Sequence, residues 1–257
     1  MKKNYNKGFR NIVFLGLVSC FADISSEMVY PIIPLYLTAV LGATPALVGV
    51  IEGIAESVAS LLKVFSGYVS DKFQKKKALA FTGYATGVLY KLALVFAGSW
   101  VGILSARVLD RFGKGIRTAP RDVMVAESAD RASMGRAFGI HKMLDMAGSA
   151  VGILLAFILL TTMGEESYKT IFLISIIPVL IALFMFVCIE EKKEKREVAQ
   201  RAHFWKNVKG LDGQLKLYLA VTFLFTLGNS SNSFLLLRAY DAGFSSNTAI
   251  LLYFIYN

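Results

Sequence analysis

IFLISIIPVLIALFMFVCI, residues 171–189, carries no charged side chain, and it identifies the kind of protein this chain builds. A helix needs about 20 mostly apolar residues to cross roughly 30 Å of hydrocarbon, and it satisfies its own backbone hydrogen bonds while doing so. The stretch before it, TMGEESYK (162–169), has one lysine, whereas the stretch after it, EEKKEKREVAQRAHFWKNVKGLDGQ (190–214), is dense in charge. Further spans of the same kind are expected over 11–40, 46–70, 78–97, 99–120, 137–162 and 215–237. An eighth begins near residue 247 and is still apolar at Asn257. Pro31 and Pro34 fall near the far end of the first span, and Pro45 opens the second.

Composition agrees. Hydrophobic residues make up 55% and charged residues 18%, with a mean hydropathy of +0.55. A soluble domain is nearer half apolar and a quarter charged. The formal charge of +10 could suggest a nucleic-acid partner. Its distribution points elsewhere, because the bases fall in alternate connections. Lys2, Lys3, Lys7 and Arg10 precede the first span, Lys72, Lys75, Lys76 and Lys77 follow the second, and Arg121, Arg131 and Arg136 follow the fourth. The 190–214 stretch is the next basic connection, whereas GATPA (42–46) and AGSW (97–100) carry no base at all. This positive-inside pattern predicts a cytoplasmic N-terminus and a multi-pass protein of a prokaryotic cell membrane. The N-terminus reads as a retained helix rather than a cleaved signal, because no short apolar region with a small-residue cleavage site follows it. Cys20 and Cys188 both fall inside spans, where a thiol is a small apolar side chain, and no disulfide or metal set is expected.

Residues 67–77, GYVSDKFQKKK, place Gly67, Asp71, Lys72, Lys75 and Lys76 immediately after the second span. They resemble the signature loop between helices two and three of the major facilitator superfamily, with Gln74 where the signature usually has glycine. GRAFG (135–139) is similar to the opening of the family's helix five. RVLDRFGKGIRTAPRD (107–122) is similar to a helix-four element with an arginine and a glycine four residues on, matched here by Arg111 and Gly115 in spacing or by Arg107 in depth. ISSEMVYP, IEGIAES and DRFGKGIRTAPRD look like a prokaryotic subgroup of unknown substrate. The resemblance implies an all-α six-plus-six helix bundle, truncated here within the eighth transmembrane helix. It also implies a cytoplasmic gating loop at 67–77. The domain plan becomes a six-helix bundle over 1–189, a cytoplasmic linker over 190–214 and the start of the second bundle over 215–257. In AGSAVGIL (147–154), Gly148 and Gly152 fit helix packing better than an antiporter element.

Ionisable residues inside spans are costly and face a partner or a wet cavity. Asp23 and Glu27, Glu52 and Glu56, and His141 and Asp145 are each four apart and so share a helix face. Lys63 shares the face of Glu56, and Lys142 stands beside His141. In the fourth span Arg107, Asp110, Arg111, Lys114, Arg117 and Arg121 lie within an arc of about 120° at ~100° per residue. The third and sixth spans are nearly uncharged, Lys91 excepted. In the superfamily, helices one, two, four and five surround the cavity and three and six face lipid, so this distribution suits the resemblance. The charges either couple transport or tie the helices together by salt bridges, with Asp23 and Glu56 the expected coupling carboxylates and Arg107 or Arg111 their switch. The polar run 228–233 in the seventh span lines a cavity or bonds a neighbouring helix.

The expected activity is secondary transport of a small molecule or ion by alternating access, coupled to protons or another ion, by a monomer in the lipid bilayer. No nucleic acid, cofactor or metal is expected, and no enzymatic activity. The alternative is a membrane-embedded lipid-modifying enzyme using Asp110, Arg111, Arg117 and Asp122. The spacing around its first aspartate that such a site needs is absent, and no phosphate-binding loop for ATP occurs.

Overall fold

The computed structural model describes residues 2–73, 75–164, 167–191 and 210–257, with the side chains of 2–6, 64 and 67–73 left outside. Gly67, Asp71 and Lys72 of the expected gating loop fall among those side chains, and most of the expected linker, 192–209, lies outside the described residues. Every regular element described is helical.

The first span is α1 (Lys2–Glu27), a turn, α2 (Ile32–Leu35) and a π-helical turn, Tyr36–Val40. Pro31 has no N–H for the carbonyl of Glu27, so the helix must loosen there. Val29 and Tyr30 both donate to the Ser26 carbonyl across the break. The second and third spans are α3 (Pro45–Phe73) and α4 (Lys76–Phe96). The fourth, α5 (Trp100–Ser128), starts on a Ser99 hydroxyl that accepts the Gly102 N–H. It does not end near Pro120, as expected, but runs eight residues past it. One missing backbone bond is outweighed there by burial of Met124 and Val125 against Ile12, Leu15 and Phe186.

The fifth span is α6 (Met134–Met163). The sixth is α7 (Tyr168–Ile174) and α8 (Ile176–Val187), separated at Ser175, whose carbonyl accepts the buried Ser25 hydroxyl. Pro178, lacking an N–H for the Ile174 carbonyl, accounts for the loosening. The seventh span is two helices, α9 (Gly213–Leu227) and α10 (Asn232–Asp241), because the polar run interrupts it. The eighth is α11 (Ser246–Tyr256), capped by the Ser245 hydroxyl on the Thr248 N–H. Six of the described helical stretches are long and apolar enough to cross a membrane. α5 has the length but carries the charged stripe, and α11 is shorter.

α1 packs on α6 and α8, α3 on α5, and α4 on α5. Small residues allow the closest approaches. A Cβ on Gly148 would stand 2.3 Å from the Cys20 carbonyl oxygen, and one on Gly152 would stand 2.6 Å from that of Ile24. α1 and α6 therefore touch backbone to backbone, as packing by small residues requires. One end of the bundle, the basic end, is tied by polar contacts. Arg10 pairs with Glu190 at 2.9 Å, Asn11 donates to the Ser128 hydroxyl, and buried Lys76 meets Glu127 at 2.5 Å. Lys77 donates its ammonium to the carbonyls of Val187 and Ile189. The opposite end is apolar. There Leu236, Leu237, Ala249, Ile250 and Tyr253 join Ile32, Ile33, Ile153 and Leu160 in one buried cluster. α9 buries no side chain at all.

Candidate functional site

The charged faces of α1, α3, α5 and α6 converge on a cavity of about 310 Å³, with Asn257 at its rim. Seven of the expected site residues line it: Asp23 and Glu27 from α1, Glu56 from α3, Arg111, Lys114 and Arg117 from α5, and Asp145 from α6. It runs from Glu27 and Glu56 toward Lys63, Arg121 and Lys142, nearer the basic end.

Four expected residues lie behind the wall. Arg107 is 1% exposed and forks onto Glu52 with two hydrogen bonds, Nε to Oε1 at 2.8 Å and Nη2 to Oε2 at 2.6 Å. Its guanidinium also lies 5.3 Å from the centre of the Tyr30 ring and 3.5 Å from Asp110. A buried pair survives only with such satisfied geometry. Asp110 is a hub, meeting Arg111 at 3.7 Å and Lys114 at 4.0 Å as well. Lys91, 1% exposed, is turned inward, with its ammonium 4.7 Å from the centre of the Tyr90 ring. His141 is buried one turn from Asp145, and its Nε2 has no hydrogen-bond partner among the described residues.

Within the cavity the pairing is looser. Arg111 reaches Glu56 at 3.2 Å and Glu52 at 4.0 Å, linking wall and lumen. Asp145 accepts from the Ser19 hydroxyl at 2.6 Å and meets Lys142 at 3.1 Å. Asp23 sits beside Asp145 and 3.9 Å from Arg117. Of the expected switch arginines, Arg111 meets Glu56, whereas the base beside Asp23 is Arg117, six residues further along α5. Arg121 contacts Ser19 at 3.2 Å and Asp122 at 2.9 Å. Glu27 accepts from the Tyr253 hydroxyl at 3.4 Å, a contact between the first six spans and the eighth.

Thr118 and Ser149 also line the cavity and are not among the expected residues. Each stands four residues after a charged lining residue, Lys114 and Asp145, so the shared helix face is the signal that could have found them. Lys75 and Lys76 sit at the start of α4, at the basic end and outside the lining, the first exposed and the second buried. Among the described residues no three of His, Cys, Asp and Glu group as metal ligands would.

Comparisons with known proteins agree with this architecture. An uncharacterized MFS-type transporter of Methanocaldococcus jannaschii is 34% identical over 96% of this chain, and the chain spans 63% of its length. A probable 4-methylmuconolactone transporter of Cupriavidus pinatubonensis is 30% identical over 58% of this chain and 35% of its own. Among solved structures, a peptide transporter POT mutant in complex with alafosfalin superposes with a TM-score of 0.61 at 17% identity. The match covers 88% of this chain and 48% of that one. A POT family transporter in complex with a thioalcohol-conjugated peptide gives 0.63 at 13% identity, over 93% and 49%. Those two share the fold. Residues 15–257 match the Major Facilitator Superfamily, and the chain belongs to that family.

Proposed function

We propose that this chain carries the first bundle, over 1–189, and the opening helices of the second, over 215–257, of a secondary transporter. It moves a small solute across a cell membrane by alternating access, coupled to protons or another ion. The observation that carries the reading is the cavity itself. Helices of membrane length, α1, α3, α5 and α6, line a charged cavity and bring its ion-pairing side chains together. The C. pinatubonensis relative, named for a small organic solute, supports the same class. The lipid-modifying alternative gains nothing from the geometry, since Asp110 and Asp122 are both engaged by arginines.

The N-terminus and the basic end face the cytoplasm on this reading. The buried apolar cluster that α10 and α11 share with the first spans closes the other end, and the cavity lies nearer the basic one. Asp23 is the coupling carboxylate best placed to work. It adjoins a second carboxylate, Asp145, and only a long contact reaches Arg117. Two carboxyl groups in contact can share one proton between their oxygens. Loss of that proton would draw Arg117 across and change how α1 sits on α5. Glu56, held by Arg111, is the second candidate.

The test needs no known substrate. In the full-length protein lacking Cys20 and Cys188, Met146→Cys in the cavity wall should react with an impermeant maleimide from the cytoplasmic face. An imposed proton gradient should change that reactivity, and Asp23→Asn should remove the change. Labelling that is equal from both faces and blind to the gradient would overturn the reading.

A further inference from the structure

We infer that the solute taken by this cavity is a small anion of the carboxylate or phosphate type; the inference rests on the transport reading above and adds the substrate class. Six bases line the lumen, Lys63, Arg111, Lys114, Arg117, Arg121 and Lys142, against four carboxylates, Asp23, Glu27, Glu56 and Asp145. The excess is not spread evenly. Arg111, Arg121 and Lys142 each have a carboxylate at 3.2 Å or closer: Glu56, Asp122 and Asp145. Lys63 has no carboxylate within 4.0 Å among the described residues, Lys114 reaches Asp110 only at 4.0 Å, and Arg117 reaches Asp23 only at 3.9 Å. None of these three side chains makes a hydrogen bond among the described residues.

Uncommitted bases on a surface would mean little, because water solvates them. Arg117 is different, being 6% exposed. Its guanidinium lies 4.4 Å from the centre of the Tyr84 ring, and Gly83 packs so closely that an added Cβ would stand 2.6 Å from Arg117 Cβ. Arg117 is thus held at its base by Gly83 and at its guanidinium by the Tyr84 ring, and it lines the lumen; a guanidinium placed so suits forked binding of a carboxylate or phosphate. Lys114, one turn before it on α5, and Lys63, across the lumen on α3, can add point charges. Thr118 and Ser149 bring two hydroxyl-bearing side chains to the same lining, the first donating to the Lys114 carbonyl. An anion there would replace long-range contacts by short charge-assisted ones, and it would compete with Asp23 for Arg117. Solute and the charge on Asp23 would then be linked through one guanidinium.

The measurement is calorimetric titration of the full-length protein in phosphatidylcholine nanodiscs with benzoate, acetate and inorganic phosphate. Benzamide and benzamidinium provide neutral and cationic isosteres of the first. At least one of the three anions should bind with a Kd below ~1 mM, the range of ordinary substrate affinities, and the neutral and cationic isosteres should not. Lys63→Gln, at an exposed position, should weaken the bound anion by about tenfold, and Arg117→Gln by more, whereas Arg238→Gln, outside the cavity, should leave it unchanged. No anion binding, tighter binding of benzamidinium, or an anion Kd indifferent to Lys63→Gln would each overturn the inference. So would a response to phosphatidylglycerol lipid alone, since that would place the anion in the membrane. If Met146→Cys still alternates with the gradient while every anion fails, the substrate class is wrong and the transport reading survives.

Discussion

Arg107 shows what a charge in a membrane helix does when it is fully partnered. It is the largest side chain among those with almost no exposure, and its fork onto Glu52 closes α5 against α3. Removing one partner leaves the other charge buried and unpaired, which costs about 3–5 kcal/mol. Glu52→Ala and Arg107→Ala should therefore each lower the thermal unfolding temperature in detergent sharply. The double replacement Glu52→Gln with Arg107→Met should recover much of the loss. A double variant as unstable as the sum of the single ones would show that each residue stabilises the bundle separately. For single side chains the sequence is informative about membership of the site and silent about pairing. Spacing by four puts Glu52 with Glu56 and His141 with Asp145 on shared faces, and the stripe on α5 comes from the same period. Which base meets which acid depends on the height and rotation of separate helices, and no spacing within one helix encodes that. Hence Arg107 pairs with Glu52, and Arg117, not Arg107 or Arg111, stands by Asp23.

Between helices, contact distance is set by the smallest side chains. Gly148 and Gly152 lie against the backbone of α1 at Cys20 and Ile24, whereas Gly139, earlier on α6, has nothing within 4 Å of where its Cβ would be. Gly148→Val should force α1 and α6 apart, opening the floor of the cavity next to Asp145, and should abolish monodisperse expression. Gly139→Ala should be neutral or slightly stabilising, since alanine is the better helix former by about 1 kcal/mol. Equal expression of the two variants would refute backbone contact. The proline positions divide in an instructive way. Pro31 breaks its helix, while Pro120 sits inside a helix that continues to Ser128. Local chemistry is the same in both, a missing donor. The difference lies downstream in the chain. After Pro120 the helix buries Met124 and Val125 by continuing, a tertiary gain that a local reading of proline does not contain.

Across the whole molecule, the membrane-length helices are legible in the sequence because the hydrocarbon thickness sets their length before any packing does. The meeting of α10 and α11 with the earlier helices is not legible, since it rests on Tyr30, Tyr253 and Phe234, aromatic residues with no periodic signature. Topology gives one prediction. With Cys20, Cys188 and any further cysteine of the full-length protein removed, Gly98→Cys should react with an impermeant thiol reagent added outside intact cells and Arg131→Cys should not; reaction of Arg131→Cys in sealed cells would reverse the orientation. Closure gives the last. The Tyr30 and Tyr253 rings lie with centroids 5.8 Å apart, Tyr253 reaches Glu27, and a Cβ on Gly49 would stand 2.7 Å from the tip of the Phe234 ring. All three contacts lie at or near the apolar end, and all must separate if the cavity is to open there. A short thiol cross-link between Tyr30→Cys and Tyr253→Cys should therefore hold the protein with its lumen open at the basic end. Met146→Cys should then label from the cytoplasmic face at a constant rate, whatever gradient is imposed, and cleaving the link should restore the response. Cross-linked protein that still answers the gradient would show that α11 does not separate from α1 during the cycle, and the closing surface would have to be sought elsewhere.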